Sequence, residues 1–185
     1  MTPRLMLWTI GHSTRPIDEF IGLLQTFEIR LLIDVRTVPR SRFNPQFNSD
    51  TLAKSLADAR IGYLHTAALG GLRQTKKNSI NLGWRNLSFR GYGDYMQTDA
   101  FWSALEELMT HGAKQHVAIM CAEAVPWRCH RSLIADALLS RGWTVRHIMS
   151  ATKSDEHRLT SFAIIEHGRL TYPPPSDPDS TPRLF

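Results

Sequence analysis

Cysteine, lysine and long apolar runs are all scarce in this sequence. Two of its 185 residues are cysteines, Cys121 and Cys129, and two cysteines give little support to a disulfide framework. The apolar run near the N-terminus, residues 5–10, is too short for a signal peptide or a membrane span. We therefore expect a cytoplasmic protein with reduced thiols and no membrane partner.

Positive charge exceeds negative charge, and most of it is arginine. The chain has 22 basic and 17 acidic residues, and 17 of the basic residues are arginine. Arginine suits bidentate contacts to phosphate or carboxylate, although a GC-rich genome also produces such a ratio. The length and the 42% hydrophobic content predict a single α/β domain over residues 1–172, followed by a Pro-rich flexible tail at 173–185.

Short apolar runs alternate with amphipathic segments along the chain. Strands are predicted at residues 5–10, 31–35, 61–65, 117–120 and 143–148, with helices between them and a terminal hairpin at 161–166 and 169–172. This alternation predicts a three-layer α/β domain with a mainly parallel sheet and helices on both faces. Residues 66–93 are the least regular stretch and are expected to form a long loop.

In parallel sheets, ligands bind beyond the carboxyl ends of the strands. Several polar residues stand at those ends, namely His12, Ser13, Asp34, Arg36, His65, Cys121 and Glu123. They are far apart in sequence, yet the rule predicts that they meet at one edge of the sheet.

The stretch from residue 117 to 131 carries the densest chemistry. Cys121 follows a buried strand and precedes a helix, where a dipole and nearby cations lower a thiol pKa. Phosphatases and sulfur transferases of the Cys-loop-Arg type place their nucleophile in this way. Six residues separate Cys121 from Arg128, one more than in tyrosine phosphatases, and the acidic Glu123 opposes a bound phosphate. A buried, non-reactive cysteine is therefore the alternative.

Arg128, His130 and Arg131 at the start of the predicted helix favour an anion site. Alternatively, Arg131 forms a structural ion pair with Asp34 or Glu123. The two carboxylates could themselves perform acid–base chemistry, with His12 as a further base or simply a polar residue at the edge.

Cys121, Cys129 and His130 also form a candidate metal site. Their spacing is not an established ligand pattern, so no cofactor is expected, while a metal ion is not excluded.

Two loops suggest a polyanionic partner. Residues 36–49 and 66–93 hold eight basic residues and no acidic one, interleaved with Trp84, Phe89 and Tyr92. Basic charge with aromatic side chains is typical of nucleic-acid surfaces with stacking platforms. A solvated basic loop that covers the site is the simpler interpretation.

Five motifs in order resemble the bacterial and archaeal family called domain of unknown function 488, over about residues 8–150. They are T-I-G-H-S at 9–13, I-D-V-R-x-x-P-x-S at 33–41, L-G-G-L-R at 69–73, G-Y-G-D-Y-M at 91–96 and M-C-A-E-x-x-P-x-x-C-H-R at 120–131. The resemblance implies an α/β domain with a site at these positions, but no reaction. The motif positions are Gly11, His12, Ser13, Asp34, Arg36, Pro39, Ser41, Gly70, Gly71, Arg73, Tyr92, Tyr95, Cys121, Glu123, Pro126, Cys129, His130 and Arg131.

We therefore expect an enzyme, a hydrolase or transferase, that acts on a phosphate-bearing small molecule or nucleic acid. The expected catalytic residues are Asp34, Glu123, Cys121 and His12. The expected substrate-binding residues are Ser13, Arg36, Ser41, Arg73, Tyr92, Arg128, His130 and Arg131. The alternatives are a non-catalytic nucleic-acid-binding module and a metal-binding protein that uses Cys121, Cys129 and His130.

Overall fold

A computed structural model of the chain describes residues 5–175, so most of the Pro-rich tail predicted at 173–185 lies outside the described residues. Its strands are β1 (Met6–Gly11), β2 (Leu31–Asp34), β3 (Gly62–His65), β4 (Val117–Cys121), β5 (Thr144–Ser150), β6 (Lys153–Glu156), β7 (Ile164–Glu166) and β8 (Arg169–Thr171). Its helices are α1 (Ile17–Thr26), α2 (Ser49–Asp58), α3 (Leu87–Tyr95), α4 (Asp99–Gly112) and α5 (Arg131–Ser140).

The first six strands form one sheet in the order β3-β2-β4-β1-β5-β6, and β7 and β8 form a separate hairpin. Strands β1 to β5 pair in parallel, while β6 pairs with β5 in the antiparallel direction. The α/β architecture with a mostly parallel sheet and a C-terminal hairpin confirms the sequence prediction. Strand β4 lies between β1 and β2, so the loop after β4 is central at the carboxyl edge.

Two apolar clusters show that helices cover both faces of the sheet. One contains Phe20 of α1, Leu52 of α2 and, from the sheet, Leu32. The other contains Phe101 of α4, Leu133 of α5 and further sheet residues, including Ile33. Neighbouring residues of each strand point to opposite faces, so a strand buried on both faces reads as a continuous apolar run.

Two elements were missed in the sequence. Residues 66–93 were expected to be irregular, but α3 begins at Leu87, and the Asn86 side chain accepts hydrogen bonds from the first-turn amides of Ser88 and Phe89. The sequence did not indicate this helix because Gly91 lies within it and glycine lowers helix propensity. It is needed there because a Cβ would overlap the carbonyl oxygen of Arg73.

Strand β6, with the sequence K-S-D-E, is the second missed element. It is an edge strand and carries no apolar side chain, so it has none of the alternation that indicates a strand.

Candidate functional site

An open cavity of about 430 Å³ lies at the carboxyl edge of the sheet. Its walls come from the loops after β2, β3 and β4 and from the start of α3, and the lining includes Arg36, Arg40, Cys121, Glu123, Arg128 and His130. Arg40 is a cavity residue that was not among the sequence candidates. Its only signal was its place in the basic loop that follows β2.

The sulfur atoms of Cys121 and Cys129 are in contact, so the two cysteines are paired in this structure. The short turn Pro126–Arg128 folds the chain back, which brings the residue before α5 to the end of β4. The Cα atoms are 7.6 Å apart, wider than the roughly 4.4–6.8 Å usual for a disulfide. Because this separation exceeds the usual range, the expectation of reduced thiols stays a prediction. Both cysteines line the cavity, so reduction frees two thiols at the site.

Arg131 is buried behind these sulfur atoms, at 1% exposure. Its Nε atom donates a hydrogen bond to Cys121 Sγ at 3.0 Å, and its terminal nitrogens donate to Thr9 Oγ1 at 3.1 Å and to the Glu123 carbonyl oxygen at 2.6 Å. Burial lowers the pKa of Arg131 to about 9, which leaves it charged near neutral pH. Its guanidinium therefore faces the Cys121 sulfur and not the solvent, so it does not form the predicted anion site.

One ring nitrogen of His130 has a hydrogen-bond partner that fixes the position of the ring proton. Nε2 lies 2.9 Å from the Val35 carbonyl oxygen, which can only accept, so we assign the ring proton to Nε2. Nδ1 then carries a lone pair and lies 3.6 Å from Cys129 Sγ. Burial lowers the pKa of His130 to about 4, so the ring is neutral at neutral pH. Gly71 leaves room for this ring, since a Cβ there would overlap Nδ1.

Asp34 and Arg36 form a closed ion pair, with 0% and 7% of their side chains exposed. Nε of Arg36 donates to Asp34 Oδ1 at 2.9 Å and Nη2 donates to Oδ2 at 2.6 Å, and Nη2 also donates to the Phe47 carbonyl oxygen. The hydroxyl of Tyr63 donates to the same carboxylate at 2.7 Å. The Asp34 carboxylate is saturated by these donors and does not line the cavity, which removes the geometric support for its expected catalytic role.

His12 is buried beside this pair and stacks on Phe47, with ring centroids 4.2 Å apart. Its Nε2 lies 3.3 Å from an Arg36 nitrogen, and its Nδ1 lies 2.8 Å from the Ser13 carbonyl oxygen. Burial lowers the pKa of His12 to about 4. Both ring nitrogens are engaged, so the geometry gives His12 a structural contact at the sheet edge and no path to the cavity.

Three expected binding residues are engaged in local contacts. Ser13 donates its amide to the Ala122 carbonyl oxygen, and the hydroxyl of Ser41 accepts from the Asn44 amide. Arg73 stacks on the Tyr95 ring at 3.6 Å and donates to three carbonyl oxygens.

Tyr92 is fully buried, and its hydroxyl donates to the Leu69 carbonyl oxygen, so it is not available to a ligand. Burial also raises its pKa well above the ordinary value of 10.0.

The expected stacking platforms pack into the protein. The ring of Trp84 meets Phe89, Phe162 and Tyr172 at centroid distances of 5.0, 4.9 and 5.4 Å. These contacts stabilise the irregular stretch before α3. The nucleic-acid-binding alternative therefore loses Trp84 as a platform and keeps the basic charge of the loops, with Phe43 at 89% and Trp127 at 63% exposure as the exposed aromatic side chains beside it.

Donor atoms of Cys121, Cys129 and His130 lie within 4.8 Å of one another, a grouping that suits a soft metal ion. The guanidinium of Arg131 opposes such binding because it donates to the Cys121 sulfur and places a positive charge beside it. The geometry thus offers a metal three donors while an adjacent cation competes for one of them.

Fold and site together define an α/β protein with a cysteine-bearing loop at the carboxyl edge of a mostly parallel sheet. Comparison with known families matches residues 16–138 to the family described as Domain of unknown function DUF488. The match spans more than half of the 185 residues, so the chain belongs to this family, as its motifs predicted. No curated protein and no solved structure matched the chain. Within residues 5–175, no helix is long and apolar enough to cross a bilayer.

Proposed function

We propose that this protein is an enzyme that uses the thiolate of Cys121 to attack a phosphate-bearing substrate. The observation that carries the proposal is the 3.0 Å hydrogen bond from the buried Arg131 guanidinium to Cys121 Sγ, at the wall of an open cavity. A neighbouring cation favours the thiolate over the thiol, and the thiolate is the nucleophilic form.

The substrate's negative charge would meet Arg40 and Arg128. Both are exposed, both line the cavity, and neither forms an ion pair within residues 5–175. Arginine presents a planar fork of donors that matches phosphate oxygens. This assigns the anion to two side chains at the cavity mouth, in place of the buried Arg36 and Arg131.

The proposed step forms a bond between Cys121 Sγ and phosphorus while the bond from phosphorus to the leaving oxygen breaks. The leaving oxygen takes a proton from the Glu123 carboxyl group, the carboxyl that lines the cavity. Water then attacks phosphorus, gives its proton to Glu123 and releases the thiolate. The cycle needs Cys121 reduced, because the sulfur that pairs with Cys129 is not a nucleophile.

The test is a phosphatase assay of reduced protein with aryl phosphates, nucleotides and short oligonucleotides. Cys121→Ser is expected to abolish turnover with an unchanged melting temperature, and Arg128→Gln to raise KM. Arg30→Gln is the matched control, since Arg30 is exposed and precedes β2 at the opposite edge of the sheet. Turnover that survives Cys121→Ser would refute the thiolate mechanism.

Substrate identity need not be known for a second test. Inorganic phosphate is expected to slow alkylation of Cys121 by iodoacetamide in the folded, reduced protein, and not after Arg128→Gln with Arg40→Gln. Equal rates with and without phosphate would argue against an anion site at this cavity.

Soft-metal binding is the second candidate, favoured by the grouping of Cys121, Cys129 and His130. Metal analysis of reduced protein purified without chelator tests it. Gly71→Ala is the informative variant, because the added Cβ would block Nδ1 of His130 and leave both thiols intact. Zinc content far below one atom per chain, unaffected by this variant, would reject the site.

A further inference from the structure

A chain of hydrogen bonds connects a carboxylate in α5 to Arg131. Asp136 Oδ1 lies 2.8 Å from His157 Nε2, and His157 Nδ1 lies 2.9 Å from His147 Nε2. His147 Nδ1 lies 2.7 Å from Thr9 Oγ1, which accepts from an Arg131 terminal nitrogen at 3.1 Å. We call Asp136, His157, His147 and Thr9 the relay. None of its members was a candidate in the sequence, because they are distributed over four separate segments.

The direction of each hydrogen bond in the relay follows from its two ends. Asp136 also accepts from the amide and hydroxyl of Thr160, at 3.0 and 2.7 Å, and from the Tyr172 hydroxyl at 2.8 Å. With these donors around the carboxylate, we assign His157 Nε2 as a donor. We assign a single ring proton to His157, so its Nδ1 accepts, and His147 donates from Nε2 and accepts at Nδ1.

At the other end, a guanidinium can only donate. Thr9 Oγ1 therefore accepts from Arg131 and gives its own proton to His147 Nδ1. With one ring proton assigned to each imidazole, every bond points from Arg131 toward Asp136 without conflict. Burial lowers the pKa of His147 to about 3, in agreement with a neutral ring.

The relay lies beside a second cavity of about 420 Å³, which His147, His157 and Thr160 help to line. All four imidazole nitrogens are already engaged within the relay, so no ring nitrogen is left to bind or deprotonate a ligand there. The relay leads away from this cavity and ends at its contact with Arg131.

We propose that the relay holds the Arg131 guanidinium in the orientation that keeps its Nε against Cys121 Sγ. Within residues 5–175 no carboxylate forms an ion pair with Arg131, and the relay links Asp136 to it through three intervening side chains. The four relay members are positioning residues, and this role rests on the proposed function of Cys121 as the nucleophile.

The test measures the reactivity of Cys121 directly, at a fixed pH near 7 and with iodoacetamide. It uses a Cys129→Ser background, in which Cys121 is the one cysteine of the chain. Thr9→Val removes the hydroxyl at nearly constant volume and is expected to slow alkylation about tenfold, the equivalent of one pKa unit of thiolate. Thr9→Ser restores the hydroxyl and should restore most of the rate.

Asp136→Asn tests whether the far end of the relay matters. The carboxylate does not touch Arg131, so a local structural role predicts no change in alkylation. The relay predicts that Asp136→Asn slows alkylation of Cys121 about threefold when Thr9 is present. It predicts no further slowing when Asp136→Asn is combined with Thr9→Val, since the effects of coupled residues are not additive. Additive losses, or no loss at all, would overturn the proposal.

One measurement needs no variant. Two-bond ¹H–¹⁵N spectra of the labelled protein should show His147 and His157 both neutral and protonated at Nε2. A proton on Nδ1 of His147 would overturn the assigned direction. Because these measurements do not use a substrate, failure of the phosphatase assay would leave their outcome interpretable, and the relay can fail while Cys121 remains essential for turnover.

Discussion

Arg36 and Arg131 are both buried at the same edge of the sheet, yet their surroundings differ in kind. Arg36 meets a carboxylate through two parallel hydrogen bonds, so its charge is neutralised within the ion pair. Arg131 meets a sulfur, a hydroxyl and a carbonyl oxygen, none of which needs to carry a full negative charge. The comparison separates an arginine that is neutralised by a carboxylate from one whose charge faces a sulfur atom, which is the arrangement that the proposed function uses.

The largest effect on stability is expected when Asp34, the acidic partner of Arg36, is replaced. Asp34→Ala leaves a buried, unpaired guanidinium and should lower the free energy of unfolding by about 3–5 kcal/mol. Urea denaturation measures this loss. Asp58→Ala at the exposed end of α2 is the control, and an equally small effect of both variants would contradict the assigned role of the pair.

A smaller effect on stability is expected at Arg131, but with a distinct chemical signature. Arg131→Lys replaces the planar fork by a single ammonium and leaves buried acceptors unpaired, at a cost of about 1–3 kcal/mol. Alkylation of reduced Cys121 should slow markedly.

Arg36→Lys is the matched variant, because Arg36 is also buried and its hydrogen bonds go to Asp34 and Phe47 and not to the sulfur. This variant should be alkylated at Cys121 at nearly the rate of the unsubstituted protein. Equal slowing by the two lysine variants would remove the distinction between the two arginines.

Each arginine also has a buried neutral histidine nearby, His12 beside Arg36 and His147 on the Arg131 side. Burial lowers their pKa values to about 4 and about 3, from an ordinary 6.5. The unfolded chain takes up these protons below about pH 6.5 while the folded protein does not, so stability is full above that pH and is lost as the pH falls.

Between pH 7 and pH 5, each of these histidines should account for a loss of about 1–2 kcal/mol in the free energy of unfolding. His12→Gln and His147→Gln should each reduce this loss of unfolding free energy by the contribution of one histidine, as measured by urea titrations at both pH values. His116→Gln, at an exposed position, should leave the slope unchanged. The His12→Gln, His147→Gln double variant should keep the share that His130 contributes through its own lowered pKa, and a slope as steep as that of the unsubstituted protein would contradict the assignment.

The smallest effect belongs to an arginine outside the core. Arg146 pairs with Glu156 at 3.6 Å across β5 and β6, with 32% and 54% of the two side chains exposed. Glu156→Gln should change the free energy of unfolding by less than about 1 kcal/mol because solvent screens such pairs. A loss comparable with that of Asp34→Ala would show that burial is not what separates the arginines.

The sequence predicted the sheet well because strands buried on both faces have an unmistakable composition, as in residues 31–35 and 117–120. It also predicted the edge where Cys121, Glu123 and Arg128 meet, since a parallel sheet brings loops together at its carboxyl end. Membership in the family followed from motifs with fixed spacing. These are properties that local pattern and topology determine.

Partner choice could not be predicted in the same way. Arg36 and Arg131 look equivalent in sequence, and only the packed structure shows that Asp34 takes the first and the Cys121 sulfur the second. The histidines at 147 and 157 carry no motif, because their link to Asp136 depends on the registry of β5 and β6. The ring of Trp84 likewise turns inward through contacts with Phe162 and Tyr172, far along the chain.

Gly11 has a consequence for how this site can diverge. A Cβ at this position would overlap the Glu123 carbonyl oxygen, and the amides of His12 and Ser13 donate to the carbonyl oxygens of Cys121 and Ala122. Main-chain atoms thus hold the loop after β4 in place, so its exposed side chains can be substituted without moving the Cys121 sulfur. Ala122 and Ala124 are two such positions. Substitutions there would change the wall of the cavity while the Cys121 sulfur keeps its place.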